Sequence, residues 1–190
     1  MTRTTLPLAA IAGLPIIALV LALWGQPWIC TCGEVRLWVG SIWDSGNSQH
    51  IADWYTLSHI LHGVLIALIG RVAFPRLGFN VLFATAIITG IGWEVIEHTD
   101  WVLGQFRATT VNQGYTGDSI LNAVADYVWM MGGFFAAWRL RVPVTLALVA
   151  LLELTAAFIG RDSLALTTLQ LVYPSESIAS WQQELNPNAP

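Results

Sequence analysis

Five long apolar segments, separated by shorter polar ones, dominate the hydropathy pattern of this chain. A helix needs roughly 20 residues to cross a hydrocarbon core of about 30 Å, and each segment is close to that length. The sequence therefore predicts an all-α fold, a multi-pass membrane bundle of about five transmembrane helices. The predicted helices cover residues 6–24, 54–74, 79–103, 118–140 and 142–160.

Two polar segments complete the predicted organisation, an outer loop over 25–53 and an outer tail over 161–190. Within the tail, residues 164–181 are apolar enough to form an interfacial helix on the membrane surface. A chain of 190 residues has room for one domain of ordinary size, so we expect a single membrane domain over 1–190.

Composition supports a membrane protein and excludes nucleic acid as a partner. Hydrophobic residues make up 55% of the chain and charged residues 11%, whereas a soluble protein has about 25% charged residues. The net charge is -4 and the sequence contains no cluster of basic residues, so nothing would neutralise phosphates. Membrane lipid is the expected partner.

The arginines predict the orientation, because Lys and Arg accumulate in cytoplasmic loops. With a cytoplasmic N-terminus, five of the eight arginines fall on the inner side, namely Arg3, Arg71, Arg76, Arg139 and Arg141. We therefore expect a bacterial inner-membrane protein with a periplasmic C-terminal tail. The acidic residues and histidines all fall in outer segments or outer helix halves. The inner halves thus offer no ionisable relay, which argues against a transporter.

Three predicted helices carry polar side chains at helical spacing. Residues three or four apart share one face of a helix, and a rise of about 1.5 Å per residue puts the deeper groups roughly 6 to 14 Å below the outer surface. The pattern predicts one polar chamber between the helices. Its candidate residues are His59 and His62 on the second helix, Glu94, Glu97 and His98 on the third, and Asp118, Asn122 and Asp126 on the fourth.

Ionisable side chains at membrane depth indicate function, since an Asp at a helix centre costs roughly 2.5 to 3.5 kcal/mol on insertion. Imidazole and carboxylate groups bind Zn, Mn or Fe, and His59, His62 and His98 are the candidate metal ligands. A metal open to the periplasm would activate water to hydrolyse a lipid or envelope precursor. A structural hydrogen-bonded network is the alternative for the same groups, because the spacing matches no metalloprotease motif.

A second functional hypothesis is a non-enzymatic accessory subunit of a larger membrane complex. The small size, the tryptophans at the outer helix ends and the apolar tail fit this role. Some candidate residues also have structural alternatives. Asp118 has the position of a helix N-cap, and we expect His50 and Asp53 to be solvated or capping residues.

Cys30 and Cys32 follow the first helix and would lie in the oxidising periplasm. A disulfide across one residue, a pair of metal-binding thiolates and a chemically inert pair are all compatible with the C-x-C spacing. The sequence leaves these three alternatives open.

Five blocks spread over residues 30–182 resemble a family of alphaproteobacterial inner-membrane proteins of unknown function. The resemblance implies a location and no activity. The blocks are CTCGEVRLWVG, NSQHIADWYTLSHILHG, GWEVIEHTDWV, GYTGDSILNAVADYV and RDSLALTTLQLVYPSESIASWQ.

A more distant resemblance is to the VanZ-like membrane superfamily, and it adds Arg107 to the predicted chamber. The chain departs from the superfamily pattern by a longer Arg-to-Asp interval and by Asp126, where a glycine would be expected. The residues in similar places are His59, Glu94, Arg107, Asp118 and Asn122.

Overall fold

The computed structural model describes residues 5–111 and 114–187, and the regular structure within them is entirely helical. In chain order the helices are α1 (Thr5–Leu23), α2 (Thr56–Ala73), α3 (Phe79–Glu97), α4 (Asp100–Thr109), α5 (Ile120–Arg139), α6 (Val142–Thr155), α7 (Leu164–Val172) and α8 (Glu176–Gln183). A π-helical turn, Ala156–Gly160, continues α6. The helices α1, α2, α3, α5 and extended α6 are long and apolar enough to cross a membrane. The predicted all-α bundle with five spanning helices is therefore confirmed.

The helices α2 and α5 form the centre of the bundle. They make the most extensive helix contact, while α1 and α3 pack on α5 and α6 packs on α2. Two glycines allow this close approach. A Cβ atom on Gly63 of α2 would meet the backbone of Met130, and a Cβ atom on Gly133 of α5 would meet the carbonyl of Ile60. Small residues at such contacts are typical of helices packed within a membrane.

The outer surface of the spanning helices is apolar. Leu19, Ile88, Leu151 and Phe158 each expose more than half of their side-chain area, and they lie on α1, α3, α6 and the π-helical turn. Helices that are apolar on their outer as well as their inner faces are typical of membrane spans. The chain is thus a multi-pass membrane protein.

The third apolar segment differs from the prediction, because 79–103 is two helices rather than one. The helix α3 ends at Glu97, and Thr99 caps α4 by accepting a hydrogen bond from the Val102 N–H at 3.4 Å. A Thr cap followed by an Asp in the first turn favours a new helix start at this point. His98 therefore lies in a turn and not within a helix.

The tail differs in a similar way, because 164–181 is divided into α7 and α8. Pro174 lies in the break. Proline has no N–H for a helical hydrogen bond and keeps the preceding residue extended, so it separates the two helices. The Gln170 side chain closes the break, accepting from the Ser175 N–H at 2.7 Å and donating to the Ser175 carbonyl at 3.3 Å.

We call the end of the bundle formed by Leu23, Thr56, Glu97, Ile120 and Gly160 the polar end. The loop over 24–55 and the helices α4, α7 and α8 are connected to the spanning helices at this end. Every described Asp, Glu and His lies in the segments attached to this end, which are 24–55, 98–119 and 161–187, or in the half of a spanning helix nearest to it. The ionisable chemistry of the described chain is therefore concentrated at one end.

Candidate metal centre

Three carboxylates converge at the polar end, and we call them the carboxylate cluster. Glu94 and Glu97 come from the last turn of α3, and Asp118 comes from the segment just before α5. One carboxylate oxygen of each lies within 4.8 Å of the other two. The three residues are 0%, 9% and 3% exposed. Ser119 caps α5, accepting from the Asn122 N–H at 3.2 Å, so Asp118 is not the cap.

Several oxygens of the carboxylate cluster have no donor. Both carboxylate oxygens of Glu94 and the Oε2 atom of Glu97 are buried without a hydrogen-bond partner among the described residues. An ionised carboxylate buried without compensation is strongly unfavourable, and nearby like charges add to the cost. A bound cation or bound protons must therefore balance the cluster.

His59 of α2 lies between the cluster and a fourth carboxylate. Its Nδ1 atom is 3.4 Å from Glu94 Oε1, and its Nε2 atom is 3.8 Å from Asp126 Oδ2. Within the described chain, Nδ1 has no hydrogen-bond partner. Asp126 is held to α2 by a hydrogen bond from the Thr56 hydroxyl at 3.1 Å. The helices α2, α3 and α5 thus bring His59, Glu94 and Asp126 into one site.

His98 has a structural role that does not fit the predicted metal ligand. Its Nδ1 atom lies 2.7 Å from the Glu94 carbonyl oxygen, and its Nε2 atom accepts a hydrogen bond from the Asp118 N–H at 2.9 Å. An imidazole with both nitrogens engaged has no lone pair left for an ion. His98 instead holds the segment before α5 against the end of α3.

The hydroxyl of Tyr115 joins two members of the cluster. It lies 2.7 Å from Asp118 Oδ1 and 3.2 Å from Glu97 Oε1. Burial and the neighbouring Asp118 raise the pKa of Tyr115 well above its usual value, so the hydroxyl keeps its proton. Burial also raises the pKa of Asp118. One hydroxyl proton can be donated to only one carboxylate at a time, so Tyr115 satisfies the cluster only in part.

A small cavity of about 60 Å³ lies beside the cluster. One water molecule needs roughly 10 to 15 Å³, so the cavity holds a few waters or the reacting part of a ligand. Its wall includes the half-buried Ser58, Trp93 and Thr167. His62 also lines it, with its ring 5.5 Å from that of Trp93. Among the described residues, the groups of atoms close enough to share an ion include neither His59 nor His62, so the ligand role of His62 stays a prediction.

Asn122 and Arg107 lie outside the cluster and outside the lining of this cavity. Asn122 is buried and donates to the His50 carbonyl at 2.8 Å, which ties α5 to the loop over 24–55. Arg107 is exposed on α4 and donates to the Tyr115 carbonyl at 3.3 Å. Both residues support the segments around the predicted polar chamber. The sequence predicts both within the chamber itself.

The loop over 24–55 contains a second group of potential ligand atoms. Cys30, Cys32 and His50 each supply one atom within 4.8 Å of the others. The two cysteines form a disulfide, so they present no thiolate for a metal. His50 is buried, its Nδ1 atom accepts from the Arg36 N–H at 3.2 Å, and burial and Arg36 lower its pKa. Of the three alternatives open from the sequence, the structure contains the disulfide.

Asp53 is buried and not solvated, and its carboxylate binds backbone N–H groups just before α2, which fits the capping alternative. It is 1% exposed, and its carboxylate accepts hydrogen bonds from the N–H groups of Ser48 at 2.7 Å and Tyr55 at 2.8 Å. Burial raises the pKa of Asp53 to about 6. Its own N–H donates to the Thr56 hydroxyl at 3.1 Å.

Asp162 anchors the two tail helices to the polar end. Its carboxylate accepts hydrogen bonds from the hydroxyls of Tyr55 and Thr167, both at 2.9 Å, and from the Gln182 amide at 3.0 Å. The residue is 2% exposed, and burial raises its pKa to about 6. One buried carboxyl group therefore joins α7, α8 and the start of α2.

We expect the free energy of unfolding to fall as the pH rises from about 4 to about 6. In this window folded Asp162 still holds a proton that the unfolded chain has released. Asp162→Asn keeps a polar side chain that cannot titrate, so it should remove up to about 3 kcal/mol of this pH dependence. Burial and the neighbouring Asp162 raise the pKa of Tyr55 well above its usual value, so this hydroxyl keeps its proton throughout the range. Melting temperatures in detergent measure the effect, and equal pH slopes for both proteins would contradict it.

Five spanning helices around a buried acidic site define this chain as a multi-pass membrane protein with ionisable groups concentrated at one end. A family profile described as protein of unknown function (DUF2585) matches residues 21–184. The chain belongs to this family.

Similar relatives are UPF0314 proteins of three bacteria. The Rhizobium meliloti protein is 41% identical over 175 residues, 92% of this chain and 89% of the relative. The Sphingopyxis alaskensis protein is 42% identical over 92% of this chain and 93% of its own. The Paracoccus denitrificans protein is 40% identical over 97% of this chain and 96% of its own. These relatives confirm the resemblance to an uncharacterised alphaproteobacterial family, while the VanZ-like resemblance stays a prediction. No solved structure matches the chain.

Proposed function

We propose that this protein is an inner-membrane hydrolase whose carboxylate cluster holds one divalent cation and acts on a lipid or envelope precursor. The observation that carries the proposal is the set of unpartnered, buried oxygens on Glu94 and Glu97 beside Asp118. A divalent cation offsets the repulsion between these carboxylates and gives their oxygens a partner. Protons alone would neutralise the charges without satisfying every oxygen.

The donor atoms favour Mn²⁺ or Fe²⁺ over Zn²⁺. Carboxylate oxygens suit Mn²⁺, and imidazole is compatible with iron as well. Zinc sites usually contain more nitrogen or sulfur ligands than this cluster offers. His59 adds one free nitrogen, Nδ1, on the side of Glu94. Asp126 lies near the other ring nitrogen, which is where a metal-binding histidine typically has a carboxylate partner.

A bound cation would lower the pKa of a water molecule and polarise the bond to be hydrolysed. The chain supports this chemistry with its own groups. The Tyr115 hydroxyl holds the Asp118 carboxylate in place at 2.7 Å. Asp126, 3.8 Å from His59 Nε2, would fix the orientation of the imidazole. The cavity of about 60 Å³ has room for the reacting group of a ligand.

The orientation in the membrane is inferred from the arginines. Arg71, Arg76, Arg139 and Arg141 lie at the end of the bundle opposite the polar end. The positive-inside rule then assigns that end to the cytoplasm. Arg3, which supports the same orientation, lies outside the described residues. On this basis the cavity and the C-terminal tail face the periplasm of the inner membrane.

A deletion strain tests the hydrolase. We expect one lipid or lipid-linked envelope precursor to accumulate several-fold without the protein, measured by mass spectrometry of membrane extracts. Glu94→Gln supplied in trans should leave the accumulation in place. Glu153→Gln, which changes a carboxylate of α6 outside the cluster, should relieve it. Full relief by Glu94→Gln would contradict the enzyme, and a stable copurifying protein in mild detergent would then support the accessory-subunit alternative.

A further inference from the structure

A larger cavity, which we call the groove, lies at the polar end. It is open, has a volume of about 1060 Å³, and lies between the loop over 24–55, the segment 114–117 and the end of α8. Tyr115 lines both the groove and the small cavity beside the carboxylate cluster. The two cavities are therefore neighbours across the segment that carries Asp118.

The lining of the groove is polar and almost without charge. The described lining contains no Lys, Arg or His, and Asp44 is its one carboxylate. That carboxylate already accepts from the Gly46 N–H at 2.7 Å and lies 3.7 Å from the Arg36 guanidinium. An anionic ligand such as a phosphate would therefore find no counter-charge in the described wall. The wall favours a neutral ligand with many hydrogen-bonding groups.

Two polar atoms in this wall have no partner within the described chain. The indole Nε1 of Trp43 is a donor and the amide Oδ1 of Asn47 is an acceptor, and both are buried without a hydrogen bond. Such atoms are rare in folded proteins, because each one costs the lost hydration. A hydroxyl group accepts one hydrogen bond and donates another, so it suits both kinds of atom. Because both atoms are buried, a ligand hydroxyl reaches them after a small movement of the Trp43 and Asn47 side chains.

Two glutamine side chains add fixed hydrogen-bonding groups to the same wall. Gln49 Nε2 donates to the Gly117 carbonyl at 3.0 Å, and Gln26 Nε2 donates to the Thr116 carbonyl at 3.4 Å. These bonds hold the amide planes and leave the carbonyl oxygens as acceptors. Trp43 is half-buried, so part of its ring remains available for apolar contact with a ligand.

From this arrangement we infer that the groove binds a neutral carbohydrate group. A sugar combines hydroxyls that both donate and accept with an apolar ring face, and this matches the amides, the unpartnered atoms and the tryptophan of the wall. The inference goes beyond the proposed hydrolase and does not depend on a metal in the carboxylate cluster.

Saturation-transfer NMR tests the groove on the full chain in nanodiscs, with maltotriose and triacetylchitotriose as probes. We expect transfer to at least one trisaccharide. Trp43→Phe keeps an aromatic ring and removes the unpartnered N–H together with the pyrrole part of the indole, so the fold should persist while the affinity falls about five- to tenfold. Asn47→Ala should weaken binding similarly. Trp101→Phe, the same change at an exposed position on α4, should leave binding unchanged.

Two results would overturn the carbohydrate site. One is the absence of transfer to both trisaccharides, including the case in which a neutral peptide such as triglycine binds instead. The other is equal affinity in wild type, Trp43→Phe and Asn47→Ala. Glu94→Gln separates this inference from the hydrolase, because it should abolish metal binding in the cluster and leave trisaccharide binding intact.

Discussion

Replacing Glu94 by Gln is expected to abolish the stabilisation of this protein by Mn²⁺. At a concentration 100 times its Kd, Mn²⁺ should stabilise the folded wild type by about 2.7 kcal/mol. For a chain of this size that raises the melting temperature by about 5 to 10 °C. The amide keeps the shape of the side chain and removes an anionic ligand. Thermal unfolding in detergent, with and without Mn²⁺, measures the difference.

The same substitution should act in the opposite direction when a chelator removes every divalent cation. Glu94 then lies beside Glu97 and Asp118 with oxygens that have no described partner. Gln relieves the repulsion between like charges, so Glu94→Gln should melt no lower than wild type in chelator. A structural network that requires the Glu94 carboxyl predicts a lower melting temperature instead.

Glu153→Gln is the matched control for this pair of measurements. Glu153 is a half-buried carboxylate on α6 that accepts from the Ala165 N–H at 3.3 Å, outside the cluster. Its replacement should leave the response to Mn²⁺ as large as in wild type. A Glu94→Gln variant that still gains several degrees from Mn²⁺ would show that the ion binds elsewhere.

Gly133→Ala is expected to have the largest effect on folding. A Cβ atom at this position would meet the backbone of Ile60, which cannot move aside as a flexible side chain could. Overpacking costs about 1 to 3 kcal/mol, and a clash with backbone belongs at the upper end of that range. Because α2 carries His59 and α5 carries Asp126, separating these helices should also weaken metal binding. The melting temperature and the Mn²⁺ affinity both report the change.

The neighbouring glycine provides the control. A Cβ atom at Gly132 would meet nothing within 4 Å, and alanine is the better helix former by about 1 kcal/mol. Gly132→Ala should therefore match wild type or exceed it slightly. If Gly133→Ala and Gly132→Ala unfold at the same temperature, the close packing of α2 on α5 is not the constraint that we describe.

The helices could be predicted from the sequence because apolar length is a strong signal. Where a predicted helix differs from the structure, a local signal in the sequence ends or divides the long apolar segment. Thr99 begins a new helix inside 79–103, and Pro174 interrupts 164–181. Caps and prolines affect one or two residues, so a hydropathy window of about 20 residues averages them out.

The site could be predicted only in part. Spacing correctly identifies Glu94 and Glu97 as neighbours on one helix face, but it does not tell which way an imidazole ring turns. His98 turns both ring nitrogens to backbone groups, which no spacing rule encodes. Tyr115 reaches the cluster from a loop in which Gly117 has a φ of +99°. That contact depends on a tertiary path that hydrophobic periodicity does not describe.

The metal content of the purified protein tests the metal centre most directly. Wild type and Glu94→Gln are equilibrated with Mn²⁺ in mild detergent, desalted, and analysed by inductively coupled plasma mass spectrometry against protein concentration. We expect about one Mn²⁺ per chain in wild type and less than about a tenth of that in Glu94→Gln. A wild-type protein that retains no divalent cation, or equal retention by both proteins, would contradict the carboxylate cluster as a metal site.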